Sequence, residues 1–451
     1  MSLGAFRLKR RILVLALGLL AGLNLVSCSG YKAPTTPVNG IANRVLASQG
    51  VTATFTFGSL RVINGQNDTL PSTAPLSAGS SPGLMAISPT RNLLVAFDAS
   101  SNTVFPVNTV TDAGLGSVHL PGPTSSMVVP TANQVAYAAV PTATVNGYSF
   151  IGALEVLNLA AGSITTTIAV TNAQTVVADS TGTEFLVFSN DSNSVTVIYP
   201  ANAVPPVDTS CLTNPPNSVC SIVPGFDRPV NAVISGGTAY ILNCGAECGG
   251  VQASVQTLDL ATLAVGTPVP VNGATVGLLS GSKLYVAGKG TATGPLCASI
   301  TNAATTAATF CGTLDIVDLN TMTDPYFNNP STEIAISDGY HDRIDLTVNG
   351  QLYLGSHTCT NVGNVNNPVG EVRGCLAIFN TTNNSVIFPP DNGDVNGLQG
   401  FTQRNVEYVA EGGRLRVYDT TRNILLINDF LPQGTINIVG YVGDVKAIDF
   451  F

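Results

Sequence analysis

One phrase recurs eight times along this chain: a short apolar run, a polar turn, and a second run ordered small, polar, apolar, any, apolar, apolar. Seven of the eight second runs close on Asn or Asp. Residues 94–108, LVAFDASSNTVFPVN, show the phrase most plainly. The second runs are GSLRVIN ending at Asn64, NTVFPVN at Asn108, GALEVLN at Asn158 and NSVTVIY at Tyr199. They continue with ASVQTLD at Asp259, GTLDIVD at Asp318, GCLAIFN at Asn380 and GRLRVYD at Asp419. Short apolar alternation reads as strand, and a terminal side-chain oxygen can bond the backbone of the following turn. The anchor residues Leu60, Val104, Leu154, Val195, Val255, Leu314, Leu376 and Leu415 fall 39 to 62 residues apart. A period that long, built only of short strands, means small sheets stacked radially or linearly. The shortest spacings match a four-stranded propeller blade of roughly 40–50 residues.

The expected fold is all-β: a single closed β-propeller of four-stranded blades, eight in number, or seven should the degenerate first blade fail to form. Blade one begins at Asn43 with RVLAS and GSLRVIN, has an outer strand near residues 68–72, and has no innermost strand of its own. The following blades cover residues 81–120, 123–170, 173–226, 228–271, 272–336, 337–390 and 392–431. Residues 435–450 remain, too few for a blade. A C-terminal strand around residues 442–449 is therefore expected to complete blade one and remove the exposed edges that invite aggregation.

Blade two, GLMAISPTRNLLVAFDASSNTVFPVNTVT, resembles the YVTN-type β-propeller repeat: an apolar strand, Ser-Pro-Asp-Gly, a Tyr-Val-type strand, Ser-Asn-Thr-Val and Asp-Thr. Pro89 matches, whereas Thr90 and Arg91 replace the Asp-Gly and Asn108 replaces the Asp. Blade four repeats the pattern as VVADSTGTEFLVFSNDSNSVTVIY. The resemblance covers nearly the whole chain beyond residue 42 in pattern, with two or three blades matching closely. It implies the propeller fold and says little about function, since related propellers include lactone hydrolases and quinone- or haem-dependent oxidoreductases.

At the start, Arg7, Lys9, Arg10 and Arg11 precede an apolar stretch of 15 residues, 12–26. That is shorter than the roughly 20 residues a spanning helix needs, so residues 1–27 read as a signal peptide. Leu25-Val26-Ser27-Cys28 resembles the lipobox of bacterial lipoproteins. The resemblance implies cleavage before Cys28 and acylation of its thiol; an ordinary signal peptide with a chance Cys is the alternative. Ser29, in place of Asp, implies the outer membrane. Residues 28–42 then form the lipidated terminus and tether, and 43–451 the propeller. Cleavage would remove four basic and no acidic residues, taking the net charge from −9 to −13. Such a balance argues against nucleic acid and against a polybasic membrane patch.

Nine Cys leave eight once Cys28 is set aside, an even number that suits disulfides in an exported chain. Sequence neighbours pair as Cys211–Cys220, Cys244–Cys248, Cys297–Cys311 and Cys359–Cys375. Metal binding is the alternative, although no Cys-x-x-Cys occurs. The Cys of blades five, six and seven fall between second and third strands, as does the insertion of residues 146–151 in blade three. That connection shares a face of the disc with the one leading to the next blade. The long loops should therefore crowd one face, with Cys211–Cys220 on the other. Loops carry binding disproportionately, although tolerated insertions stapled against proteolysis would look the same.

The chain has three His: His119, His341 and His357. It contains no phosphate loop, His-Glu-x-x-His or Cys-x-x-Cys-His. The one polar concentration is Asp338-Gly-Tyr-His341-Asp342-Arg343-Ile-Asp345, at the start of blade seven's inner strand. Strand period places His341, Arg343 and Asp345 on one face and Asp342, Ile344 and Leu346 on the other. With His357 at the start of the neighbouring Cys loop, His341, Arg343, Asp345 and His357 are the candidate ligand-binding residues. They suit a divalent ion or an anion; an internal Arg–Asp pair is the alternative. Gln399, Gln403 and Arg404 of blade eight could extend that rim, while Asp98 and Asp191 read as turn-formers.

No cofactor is implied, and a divalent metal ion is compatible with the cluster. The expected function is a lipid-anchored envelope module, periplasmic or surface-exposed, that binds or scaffolds an envelope protein or a glycan. It would be a monomer, touch the membrane through its lipid alone and bind no nucleic acid. The alternative is a propeller enzyme, lactonase-like or a metal- or cofactor-dependent oxidoreductase, with its site at the channel mouth. A structural partner in an outer-membrane assembly is a third reading.

Overall fold

A computed structural model describes residues 40–449 except 42, 132–133, 147, 203–208, 212–218, 294–309, 330, 360–374, 390–392, 402 and 430. The signal peptide, Cys28 and the tether up to residue 39 lie outside the described residues. Within them the chain is built of strands, with helix confined to the 3-10 turns Pro200–Asn202 and Gly245–Cys248.

Eight sheets follow one another along the chain. Blade five is the plainest: Pro229–Ser235 innermost, then Thr238–Asn243, Ser254–Asp259 and the short outer Val269–Pro270, each antiparallel to the last. Its second strand is buried on both sides because each sheet is sandwiched between two others. Blade seven repeats the order with Tyr340–Leu346, Gln351–His357, Leu376–Asn380 and Val386–Ile387.

Packing between blades closes the ring. Among the described residues eight apolar clusters are found, and each is shared by two consecutive blades. The eighth joins Tyr408, Leu415 and Val417 of blade eight to Val45, Ala47 and Ile63 of blade one. Eight seams among eight blades leave no open end, which excludes the seven-bladed alternative.

Blade one is completed as expected. Val445–Ala447 pairs antiparallel with the strand Arg44–Gln49, which pairs in turn with Ser59–Asn64. Its outer edge is reduced to two bridges, Asn64 to Thr69 and Leu60 to Leu76. Polar groups lock the closure. The Arg44 guanidinium is fully buried and bidentate to Asp449 (Nε to Oδ2 3.0 Å, Nη2 to Oδ1 2.9 Å), with Asp112 of blade two on its other side. Asp444 accepts the Met85 amide of blade two at 2.8 Å. On the far flank, Arg404 of blade eight makes two bonds to Asp68 of blade one, 2.7 and 2.6 Å. A buried Arg is sustained only where bidentate partners meet its charge.

Three details depart from the sequence reading. Blade eight runs past its expected end at residue 431: Thr435–Ile436, with Ile424–Leu425, pair along its third strand, Arg414–Asp419. Blade four's insertion reaches back, placing Thr209–Ser210 parallel to the outer strand Ser163–Ala169 of blade three. In blades three and six the insertions lengthen the strands: Val135–Thr144 pairs with Ile151–Asn158, and Lys283–Thr293 with Phe310–Asp318.

Cys211–Cys220, Cys244–Cys248 and Cys359–Cys375 are disulfides, as their sequence neighbourhood suggests. Cys311 is also disulfide-bonded, and its expected partner Cys297 lies outside the described residues.

Candidate functional site

The strand order fixes which residues share a face. Second-to-third-strand connections and blade-to-blade connections lie at one end of the disc, the stapled face. First-to-second and third-to-fourth connections lie at the other. Cys244–Cys248 and Cys359–Cys375 belong to the stapled face and Cys211–Cys220 to the opposite one, from the strands each follows. The charged start of blade seven's inner strand opens onto the stapled face, at the mouth of the channel.

A β-bulge decides what that strand presents. His341 lies opposite Ser356, but Arg343 lies opposite Gly355, so two residues of the inner strand answer one of its partner. The extra residue resets the alternation. His341 and Arg343 therefore lie on opposite faces of the sheet, which corrects the grouping that strict alternation gives. Register shifts interrupt the first part of the inner strand in blades two, four, five and eight as well, so the bulge is a habit of the fold.

The four candidate residues separate accordingly. His341 is fully buried. Its Nε2 lies 3.5 Å from Ser337 Oγ, its carbonyl accepts the Thr275 hydroxyl at 2.6 Å, and a side chain on Gly312 would strike its ring. Burial drives its pKa down to about 4, so it is a neutral wedge between blades six and seven. Asp345 sits towards the opposite face. It accepts the Gly400 amide at 2.6 Å and neighbours the buried Glu407, whose own pKa is raised by burial and then by Asp345. Arg343 and His357 stay together at the mouth, joined by Asp342, which sequence reasoning had left outside the set.

That mouth cluster is a charged knot. His357 Nε2 is 3.0 and 3.1 Å from the two Asp342 oxygens, and Nδ1 is 3.7 Å from Asp394. Arg343 Nη1 lies 3.0 Å from Asp342 Oδ2, and its Nε donates to the Asn396 carbonyl at 2.7 Å. The Asp342 bond raises the His357 pKa against a smaller effect of burial. Asp394 also accepts the Thr358 amide at 2.7 Å, beside the Cys359–Cys375 bridge. All four side chains keep between a quarter and a half of their surface open to solvent. Among the described residues, no group of three or more His, Cys, Asp or Glu is placed to hold a metal ion.

Other singled-out residues serve the frame. Gln399 accepts the Ala447 amide at 3.1 Å and Arg404 binds Asp68, so both tie blade eight to blade one; Gln403 is exposed. Asp98 accepts Ser81 N, Ser100 Oγ and Ser101 Oγ at 2.9, 2.7 and 2.8 Å. Burial would raise its pKa, but the Ser100 and Ser101 bonds carry it below the usual range. Asp191 is 86% exposed at a turn with positive φ. His119 lies on blade two's outer edge, 3.4 Å from Thr103.

Beside the knot, a cleft of about 230 Å³ opens on the stapled face. Gln174, Asn190 and Asp191 of blade four line it, with Arg228 and Cys248 of blade five and Tyr340 of blade seven. Asp191, Cys248 and Tyr340 stand out in the sequence for separate reasons, as turn-former, staple and part of the 338–345 stretch, but no motif joins the six. Each sits at a turn or strand start, and only the ring brings them together.

No family model matches the chain, and no curated protein matches it in sequence. Solved structures do resemble it in fold. Dihydro-heme d1 dehydrogenase NirN, in complex with DHE, matches at a TM-score of 0.54 and 11% identity, over 86% of this chain and 76% of that one. The periplasmic gluconolactonase PpgL of Pseudomonas aeruginosa matches at 0.45 and 12%, over 90% and 98%. Kuenenia stuttgartiensis hydrazine synthase matches at 0.41 and 12%, over 75% and 76%. These likenesses concern the fold alone.

Proposed function

We propose that the protein is a lipid-anchored envelope β-propeller of the YVTN-repeat type that binds or scaffolds an envelope protein or a glycan through its stapled face. One observation carries this reading: the Cys244–Cys248 and Cys359–Cys375 bridges lie on the same face of the propeller as the polar mouth where blade seven's inner strand starts. The knot of Asp342, Arg343, His357 and Asp394 holds that mouth in shape. A staple lowers the entropy lost when a loop orders on a partner, and solvent-facing charges at a rim steer encounter and register. The lipobox-like residues 25–28 supply the anchor. The strand Arg44–Gln49 runs towards the stapled face, so the chain enters the propeller from the opposite one. Acylation at Cys28 would thus leave the stapled face pointing away from the membrane.

The test begins with Cys28→Ser, which should move the protein from the membrane fraction to the soluble one. Affinity capture from the envelope should then recover a partner that is lost with Asp342→Ala/Arg343→Ala, at an unchanged melting temperature. The enzyme reading makes a different prediction. Purified protein would carry a stoichiometric ion or a visible chromophore, displaced by Asp342→Ala/His357→Ala. Finding that ion or chromophore, with no mouth-dependent partner, would replace the binding module with the enzyme.

A further inference from the structure

Resting on the stapled face as the binding face, we infer that the cleft of Gln174, Asn190, Arg228 and Tyr340 is a subsite for an uncharged saccharide. The cleft holds about 230 Å³, below the roughly 300 Å³ at which sites for drug-sized ligands begin, and so suits one sugar ring rather than a folded surface. Its chemistry is that of a ring with an apolar face and a hydroxyl rim. Tyr340 leaves 43% of its surface exposed at the cleft, a flat wall on which the C–H face of a pyranose can lie. Crowding by the protein, then Asp342 and Glu247, pushes its phenol up to about 12, so the O–H remains a donor at physiological pH.

The polar side is pre-set by side-chain bonds. Gln174 Nε2 donates to Ser125 Oγ at 2.9 Å, and its oxygen accepts Asn190 Nδ2 at 3.1 Å. This chain fixes both amides and leaves the Asn190 oxygen to accept from a sugar hydroxyl. Arg228, 24% exposed and 3.7 Å from Asp191, offers a guanidinium whose charge is partly met within the site. The Cys244–Cys248 bridge stiffens the remaining wall. The sign of the mouth selects the class. Within the cleft Arg228 is set against Asp191, and beyond Tyr340 the carboxylates of Asp342, Asp394 and Glu247 outnumber Arg343 and His357. An anionic ligand would meet repulsion there, whereas hydroxyls can donate to those carboxylates.

The full chain, purified in detergent, would be titrated with chitotriose, cellotriose and maltotriose, read by calorimetry and by tyrosine fluorescence, which no Trp obscures. At least one should bind saturably. Tyr340→Ala should weaken it about tenfold, Tyr340→Phe should keep most of the affinity because the ring remains, and Gln174→Ala should weaken it by disorganising Asn190. All three variants should melt like the parent. Failure of all three sugars to bind at millimolar concentration, or binding indifferent to Tyr340→Ala, overturns the inference. If no sugar binds but Tyr340→Ala abolishes capture of an envelope protein, the saccharide assignment falls while the stapled face survives as the binding face. If Tyr340→Ala alters neither, the cleft has no part in recognition.

Discussion

At the scale of the residue, the molecule's most unusual groups are buried acids. Glu407 is fully buried between blades seven and eight, and Gly400 makes room for it: a side chain there would sit 3.0 Å from Glu407 and 3.3 Å from Asp345. Two carboxylates so placed cannot both ionise, and burial, reinforced by Asp345, leaves the proton on Glu407. Asp315 and Asp324 of blade six repeat the arrangement, with Asp315 retaining the proton for the same reasons. A carboxyl whose folded pKa is raised contributes stability below its unfolded pKa, about 4.3 for Glu, and loses it as pH rises through the folded value. Glu407→Gln keeps the shape and a donor towards Asp345 but has no proton to lose. The variant should therefore be more stable than wild type at pH 7 by at least about 1 kcal/mol, with the gap closing towards pH 4. Urea unfolding across that range measures it, and a gap that widens on acidification would refute a protonated Glu407.

At the scale of the element, the closing strand shows what a sequence can and cannot disclose. Its existence was legible, because blade one lacked an inner strand and residues 442–449 had no blade to join. Its anchoring was not. Arg44 and Asp449 are 405 positions apart and belong to no shared pattern, and periodicity says nothing of a buried charge's partner. The mouth was read in part for a related reason. Charge density flagged Arg343 and His357, but one bulged residue moved His341 into the core and left Asp342 as the hub. The cleft residues Gln174 and Asn190 were invisible because each is ordinary in its own repeat, and Tyr340, although it falls within the polar stretch 338–345, carries no charge to single it out. The closing strand itself is only three residues long, Val445–Ala447, with backbone bonds to blade one continuing at Asp444 and Ile448, and two buried carboxylates, Asp444 and Asp449, flank it. Truncation after residue 441 should abolish the cooperative unfolding transition, whereas removing only residues 450–451 should leave it intact. Arg44→Met should cost about 3–5 kcal/mol by stranding the Asp449 carboxylate. A truncated protein that melts like the parent would show that the ring closes without the strand.

At the scale of the whole molecule, the direction of the first strand sets how an anchored disc would stand. The described chain begins at Gly40, Ile41 is buried in the seam between blades one and two, and Arg44 starts its strand at the end remote from the stapled loops. On the proposed acylation of Cys28, residues 28–39 would span no more than roughly 40 Å fully extended, and about 20 Å as a typical coil. Strands of six residues make the disc about 20 Å thick, so on this proposal the anchor is expected to hold the two faces at different distances from the membrane. Val251, 85% exposed, marks the stapled face, and Val348, 60% exposed in the first turn of blade seven, marks the other. With a donor dye at one or the other position and an acceptor lipid in proteoliposomes, energy transfer should be stronger from 348 than from 251. The difference should vanish for Cys28→Ser protein, which would no longer be held at the surface. Equal transfer from the two positions in the acylated protein would mean that the face bearing the staples is not held outward, and the stapled mouth would then compete with the membrane for its own partner.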